Sequence, residues 1–246
     1  MLSDALIIVG GFTDTWKMGR RICNFSALSI SIASLFFLAL NGAAEPSDLE
    51  SSRADRLAAA IYFEGVPFEE ARDLSDGDVA RLIELLDDPA KIRQHPNILV
   101  LLGMSGSPAA FDAIADYALR GSSGELDRLE FRARRSIAYA MGHLARVDGR
   151  ALAWLTRAAT DANVAPRRSF RQFDPERIAL MMRRGAITGL GLSARPSAAR
   201  TLSEISAAPG AEPGLVEYSN EALLLHGRMS REGPASVLRN EFGPDQ

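Results

Sequence analysis

The 246-residue chain has one cysteine (Cys23), two lysines (Lys17 and Lys91), three histidines and only 7% aromatic residues. A single cysteine closes no intramolecular disulfide and builds no cysteine metal site. The histidines, His95, His143 and His226, lie far apart, and none has a second histidine or a carboxylate at ligand spacing. The HExxH pattern is absent, so the sequence calls for no metal. Glycine-rich phosphate loops are missing too, and with them the basis for a nucleotide cofactor or a hydrolytic site. Runs of β-branched residues alternating with polar ones hardly occur. Ala and Leu dominate instead, a composition that favours an all-α protein.

What is present comes in two parts. Residues 1–44 read as a leader. Arg20 and Arg21 form a basic start, residues 25–40 are uncharged, and Gly42 and Ala44 stand at −3 and −1 of a cleavage site before Glu45. The apolar stretch is shorter than the roughly 20 residues a spanning helix needs. A cleaved signal peptide is therefore expected, with a retained anchor as the alternative. Met18 would begin a tidier signal, which makes residues 1–17 an over-extended start. Cleavage would remove Cys23 and leave a mature chain without cysteine. At 47% hydrophobic and 24% charged, that chain can bury a substantial core.

The mature chain is organised by repetition. HPNILVLLG ends at Gly103, RRSIAYAMG at Gly142, RRGAITGLG at Gly191 and SNEALLLHG at Gly227. Five residues before each glycine stand Ile98, Ile137, Ala186 and Ala222. Four before stand Leu99, Ala138, Ile187 and Leu223, and one before stand Leu102, Met141, Leu190 and His226. Columns at −5, −4 and −1 share one helical face, so each segment is expected to be a helix with one buried side. The glycines are 39, 49 and 36 residues apart, the range of two-helix repeats.

Second amphipathic helices alternate with these. Val79, Leu82, Ile83 and Leu86 precede the first glycine, while Phe111, Ile114, Ala115 and Ala118 follow it. Ala151, Trp154, Leu155 and Ala158 follow Gly142, and Ala198, Thr201, Leu202 and Ile205 follow Gly191. Pro108 and Pro196, each five residues past a glycine, suit a first helical turn. Gly103 and Gly191 suit the left-handed exit of the helix before. The GMSGS stretch around Ser105 is thus a helix–helix corner and not a nucleophile elbow, since it lacks both the final glycine and the preceding strand.

Segments such as RARRSIAYAMGHLA and MRRGAITGLGLSARPSAARTLSEI resemble bacterial HEAT-like repeats over roughly residues 75–242. The resemblance implies a right-handed α-solenoid of about four helix pairs, occupying 75–246. The first and last segments carry His95-Pro96 and Ser219-Asn220 in place of the repeat arginines, as expected of end repeats that cap a solenoid. Residues 45–74 would then supply an N-terminal helix and cap, the helix running over 47–63 with Ser47 and Glu50 as a capping box.

Charge is unevenly spread. Residues 45–127 hold 7 basic and 17 acidic side chains, residues 128–184 hold 13 arginines against 5 acids, and residues 185–246 hold 5 against 7. The middle repeats therefore carry a positive band. Arg134-Arg135 and Arg183-Arg184 stand where the HEAT-like pattern itself places arginine, which implies pairing with turn carboxylates of neighbouring repeats. RRSFRQF is different, because it falls in the segment that makes one repeat interval ten residues longer than the one before it. Long loops on rigid scaffolds concentrate binding residues. Arg167, Arg168, Phe170, Arg171 and Phe173 are the candidate partner-binding residues. The alternative is a solvated loop with its phenylalanines packed on the edge of the solenoid.

HEAT-like solenoids are mostly protein-binding surfaces. The expectation is an exported, periplasmic or secreted, non-catalytic adaptor with no cofactor and no stable membrane span after cleavage. Its partner would be a protein, acidic or an anionic envelope component, and not nucleic acid. The alternative is an accessory or regulatory subunit of an envelope enzyme system.

Overall fold

A computed structural model describes residues 52–62, 65–121, 124–161 and 168–242. The leader and the Ser47–Glu50 capping box lie outside the described residues. Within them the chain is mostly helical: α1 (Arg53–Ala59), α2 (Phe68–Arg72), α3 (Asp76–Asp87), a 3-10 turn (Pro89–Lys91), α4 (His95–Ser105), α5 (Pro108–Leu119), β1 (Gly124–Glu125), α6 (Arg128–Leu144), α7 (Gly149–Thr160), β2 (Arg168–Ser169), α8 (Pro175–Ser193), α9 (Pro196–Ala207), α10 (Pro213–Glu232) and α11 (Pro234–Phe242). The first helix is shorter than the sequence suggests. Ser52 caps it by accepting from Asp55 N, and the backbone turns extended at Ala60.

Two layers result. In one, α4, α6, α8 and α10 each pack on the next; in the other, α3 packs on α5 and α7 on α9. Local sequence sets the helix starts. Ser75 and Asp78 form a reciprocal capping box on α3. Asp127, Asp148 and Asp174 accept backbone N–H bonds at the starts of α6, α7 and α8. Pro108 and Pro196 open α5 and α9 as their spacing predicts. The apolar columns are buried as well: Ile98, Leu99, Leu102, Ile137, Met141, Ala186, Ile187 and Leu190 all belong to the main core.

The glycines do a different job from the one their position suggests. Gly103 and Gly191 lie inside α4 and α8, and the left-handed exits are at Gly106 (φ 68°) and Ala194 (φ 52°). Gly103, Gly142 and Gly191 are instead contact points between neighbouring helices. A Cβ on Gly103 would run into the Ala140 carbonyl of α6. One on Gly142 would stand 2.8 Å from Gly189 Cα of α8, and one on Gly191 would stand 2.7 Å from Ala222 O of α10. With no side chain in the way, successive backbones approach far more closely than leucine faces allow.

This contact also resets the register of the last helix. Gly103 meets the residue two before Gly142, and Gly142 meets the residue two before Gly191. Gly191 meets Ala222, which makes Leu224, and not Gly227, the equivalent of the repeat glycine. Leu224 is 73% exposed.

A second column ties the layers together. Eight residues before Gly103, Gly142 and Gly191 stand His95, Arg134 and Arg183. His95 Nε2 donates to Asp88 O, Arg134 Nη1 to Ala118 O, and Arg183 Nε to Ala159 O, at 3.1, 3.0 and 2.6 Å. Each acceptor lies at the carbonyl end of the helix before, where orphan C=O groups favour a cationic or N–H donor. Pairing with turn carboxylates of neighbouring repeats is the expectation for Arg134, Arg183 and Arg184. Arg184 does meet Glu212 at the start of α10, whereas Arg183 holds a backbone carbonyl and Arg134 adds to its carbonyl the carboxylate of Glu130 on its own helix. Finally, α11 packs against both α10 and α2, and Val237 sits with Leu192 and Met229.

Gly103→Ala should lower stability by about 1–3 kcal/mol, because the α4–α6 backbones must separate. Gly149→Ala has nothing within 4 Å of its new Cβ. It should be neutral or raise stability by up to about 1 kcal/mol through helix propensity. Urea unfolding of the two variants beside wild type checks both signs.

Candidate binding groove

The segment holding the sequence-predicted binding residues is not loose. Arg167 lies outside the described residues. β1 and β2 pair in parallel, Gly124 with Arg168 and Glu125 with Ser169. Phe170 and Phe173 then close a tight turn through reciprocal backbone bonds of 3.0 and 2.9 Å. Arg171 at its tip takes a positive φ of 51°, a conformation most L-residues avoid. Leu126, Phe131, Phe170 and Ile178 form a small core beneath this turn. The Phe131 and Phe170 rings stack 4.2 Å apart.

Arg168 is buried, not displayed. Its Nη1 reaches Glu130 Oε1 at 3.2 Å, and its Nη2 donates to the Arg120 and Gly121 carbonyls. Arg134 grips the same Glu130 oxygen at 2.9 Å and the same Arg120 carbonyl. One carboxylate and one turn therefore hold two guanidiniums. Burial and then the neighbouring Arg134 pull the Arg168 pKa below its ordinary value, while Glu130 opposes them. Of the five predicted residues, Arg171 is exposed and Phe173 half-buried, while Arg168 and Phe170 face inward.

The surface that does open to a ligand lies next to this turn. A groove of about 810 Å³ runs between α6, α8 and α10. Leu180, Met181, Met182, Phe173 and Tyr218 form its apolar lining. Arg135, Arg177 and Arg184 supply its cations. Arg184 pairs with Glu212 at 3.3 Å, lies over the Tyr218 ring and leaves its Nε buried without a partner. Arg177 lies over the Phe173 ring and Arg135 over that of Phe131. Among the described residues, neither Arg135 nor Arg177 forms a side-chain hydrogen bond or ion pair. Burial pulls the Arg135 pKa below its ordinary value, yet an arginine stays charged in proteins.

No family model matches this chain, and no curated protein or solved structure matches it either. The site must be read from its own geometry.

Of the sequence-predicted residues that are described, only Phe173 lines the groove. Arg177, Met181, Met182 and Tyr218 were missed. A signal for part of it was available: Pro96, Arg135 and Arg184 form the −7 column of the repeats, next to the column that caps helices. Tyr218 comes from another helix and has no such signal.

Several other polar side chains are occupied within the fold. Ser105 Oγ donates to Leu102 O and accepts from Ser107 N, and Ser193 repeats the pattern on α8. His95 donates from Nε2 to Asp88 O, so its Nδ1 accepts from Tyr117 OH at 3.1 Å. His226 Nε2 donates to Arg195 O. His143 differs: it is 3% exposed between Phe68 and Tyr139, and neither ring nitrogen has a partner. Among the described residues no group of three His, Cys, Asp or Glu side chains is placed to hold a metal ion. No helix there is long and apolar enough to cross a membrane.

Two measurements check these assignments. Arg168→Ser should cost about 2–4 kcal/mol, since it takes the Arg168 donor from the Gly121 carbonyl and leaves the Arg120 carbonyl and Glu130 with Arg134 alone of the two guanidiniums. Arg171→Ser should stay within about 0.5 kcal/mol; thermal melts of the two variants give the contrast. Burial, and then Arg146, hold His143 down at about 3, against about 6.5 in an unfolded chain. Below that value the unfolded state binds the extra proton, so this contribution is complete above pH 6.5 and is lost as pH falls toward 3. Between pH 7 and 5 the loss should reach about 2 kcal/mol. His143→Leu should flatten that part of the stability–pH curve.

Proposed function

We propose that this chain is an exported, non-catalytic adaptor, a right-handed α-solenoid of about four HEAT-like helix pairs that binds a protein partner on its surface. The pairs would be α3–α4, α5–α6, α7–α8 and α9–α10. The equivalent capping donors His95, Arg134 and Arg183 and the equivalent glycine contacts support the repeat reading.

The observation that carries the binding reading is the groove between α6, α8 and α10. It combines an apolar lining that includes two methionines with Arg135 and Arg177, which form no side-chain ion pair among the described residues. Methionines adapt their shape to a partner, and arginine is enriched at protein interfaces. A net-acidic exported chain does not suit nucleic acid, and a protein that is acidic, or an anionic envelope component, suits the groove. With the leader removed, the mature chain would begin near Glu45 and work in the periplasm or outside the cell.

The test is affinity capture from a native extract, using the mature chain as bait at 0.1 M and 1 M salt, with mass spectrometry of what is retained. A stoichiometric protein that is held at low salt and released at high salt is the expected result, because charge contacts are screened as the Debye length falls from about 10 Å to about 3 Å. A bait that retains no protein at either salt concentration would refute the adaptor reading.

A further inference from the structure

The groove interleaves cations with apolar residues: Arg135 comes from α6, Arg177 and Arg184 share α8 with Leu180, Met181 and Met182, and Tyr218 comes from α10. Two acids also border it, but both are engaged. Asp174 accepts from Arg177 N at 2.8 Å as the cap of α8, and Glu176 has a partner of its own. Arg184 alone of the three guanidiniums meets a carboxylate, Glu212, among the described residues.

A guanidinium partly withdrawn from water with no counter-ion is costly, and a carboxylate that reaches it recovers part of that cost. The Arg135 and Arg177 guanidiniums lie 6.0 and 5.0 Å from the Phe131 and Phe173 ring centroids, contacts that favour these positions and lower the ordering cost when an acid docks. The methionines beside them accept an apolar side chain of no fixed shape.

We infer that the groove receives a short acidic segment of the protein partner. Its carboxylates meet Arg135, Arg177 and Arg184, and an apolar anchor residue settles on Met181, Met182 and Tyr218. This rests on the protein-binding reading and narrows it to one site and one class of ligand. The predicted RRSFRQF loop then contributes through Phe173 at the groove's edge, while Arg168 and Phe170 hold the turn in place from below.

The test uses the mature chain and a random dodecapeptide phage library. Selected peptides are expected to be enriched in Asp and Glu around a Leu, Phe or Met. Synthetic copies should shift the methyl NMR resonances of Met181 and Met182 and bind at least tenfold more weakly at 1 M than at 0.1 M salt. The double variant Arg135→Ser/Arg177→Ser removes two cations that make no hydrogen bond or ion pair through their side chains, and should weaken binding tenfold or more while its melt stays close to wild type. If the double variant unfolds, Arg177→Ser alone, on an exposed residue of the first turn of α8, gives the same comparison.

Peptides without acidic enrichment, equal binding by the variant, or no selectable peptide would overturn the inference. Methyl shifts produced by anionic phospholipid vesicles and not by any peptide would do the same, and would make the groove a membrane-headgroup site. The adaptor reading fails separately. If the extract partner is captured equally by wild type and variant, the adaptor stands and the groove does not. If wild type captures nothing while acidic peptides still bind, the groove stands alone.

Discussion

Helix backbones that touch without side chains between them set the geometry of this protein. Gly103 against Ala140, Gly142 against Gly189, and Gly191 against Ala222 fix where α4, α6, α8 and α10 cross and how near they come. Everything on the face of that layer inherits its placement from these contacts. Packing in protein interiors tolerates little change of volume, so a methyl group at one crossing displaces a whole helix and not one side chain. The groove spans the second and third crossings, and its opposing walls are therefore as well fixed as the crossings themselves.

Arginine takes two roles in adjacent columns. At the −8 position it turns toward the end of the preceding helix and satisfies carbonyls that have no partner within that helix. At −7, one residue on, the helix rotates the side chain by about 100°, and Arg135 and Arg184 line the groove. The positive band between residues 128 and 184 is consequently not one surface. Part of it, Arg134 and Arg168 around Glu130, is internal structure. Part pairs across the surface, as Arg150 does with Asp148 and Asp112. The part left without a carboxylate includes two arginines at the groove.

The ten-residue lengthening before α8 is also reassigned by its contacts. It supplies β2 and the Phe170–Phe173 turn, with a small core of its own under them. Its aromatic and cationic residues close that core and anchor to the Arg120 carbonyl. Length and composition alone suggested an exposed binding loop. The burial of Arg168 beside Glu130, a residue of α6, and of Phe170 against Phe131 reverses that assignment for the two most inward members.

Much was legible in the residues themselves. The helical periodicity, the prolines at the starts of α5 and α9, and the buried columns from Ile98 to Leu190 follow from side-chain spacing along single helices, which sequence reports directly. The glycine column was visible, but its purpose was not, because a helix exit and a helix crossing both select the smallest residue. Only the neighbouring chain distinguishes them. The same holds for α10, where contact with Ala222 and not the glycine pattern sets the register. The charge band was countable from the sequence, whereas its division into caps, surface pairs and groove cations was not. That division depends on which carbonyls and carboxylates lie within about 3 Å of each guanidinium, and residues such as Arg134 and Arg120, 14 positions apart, or Arg168 and Arg120, 48 apart, are brought to that distance only by the stacking of the helices.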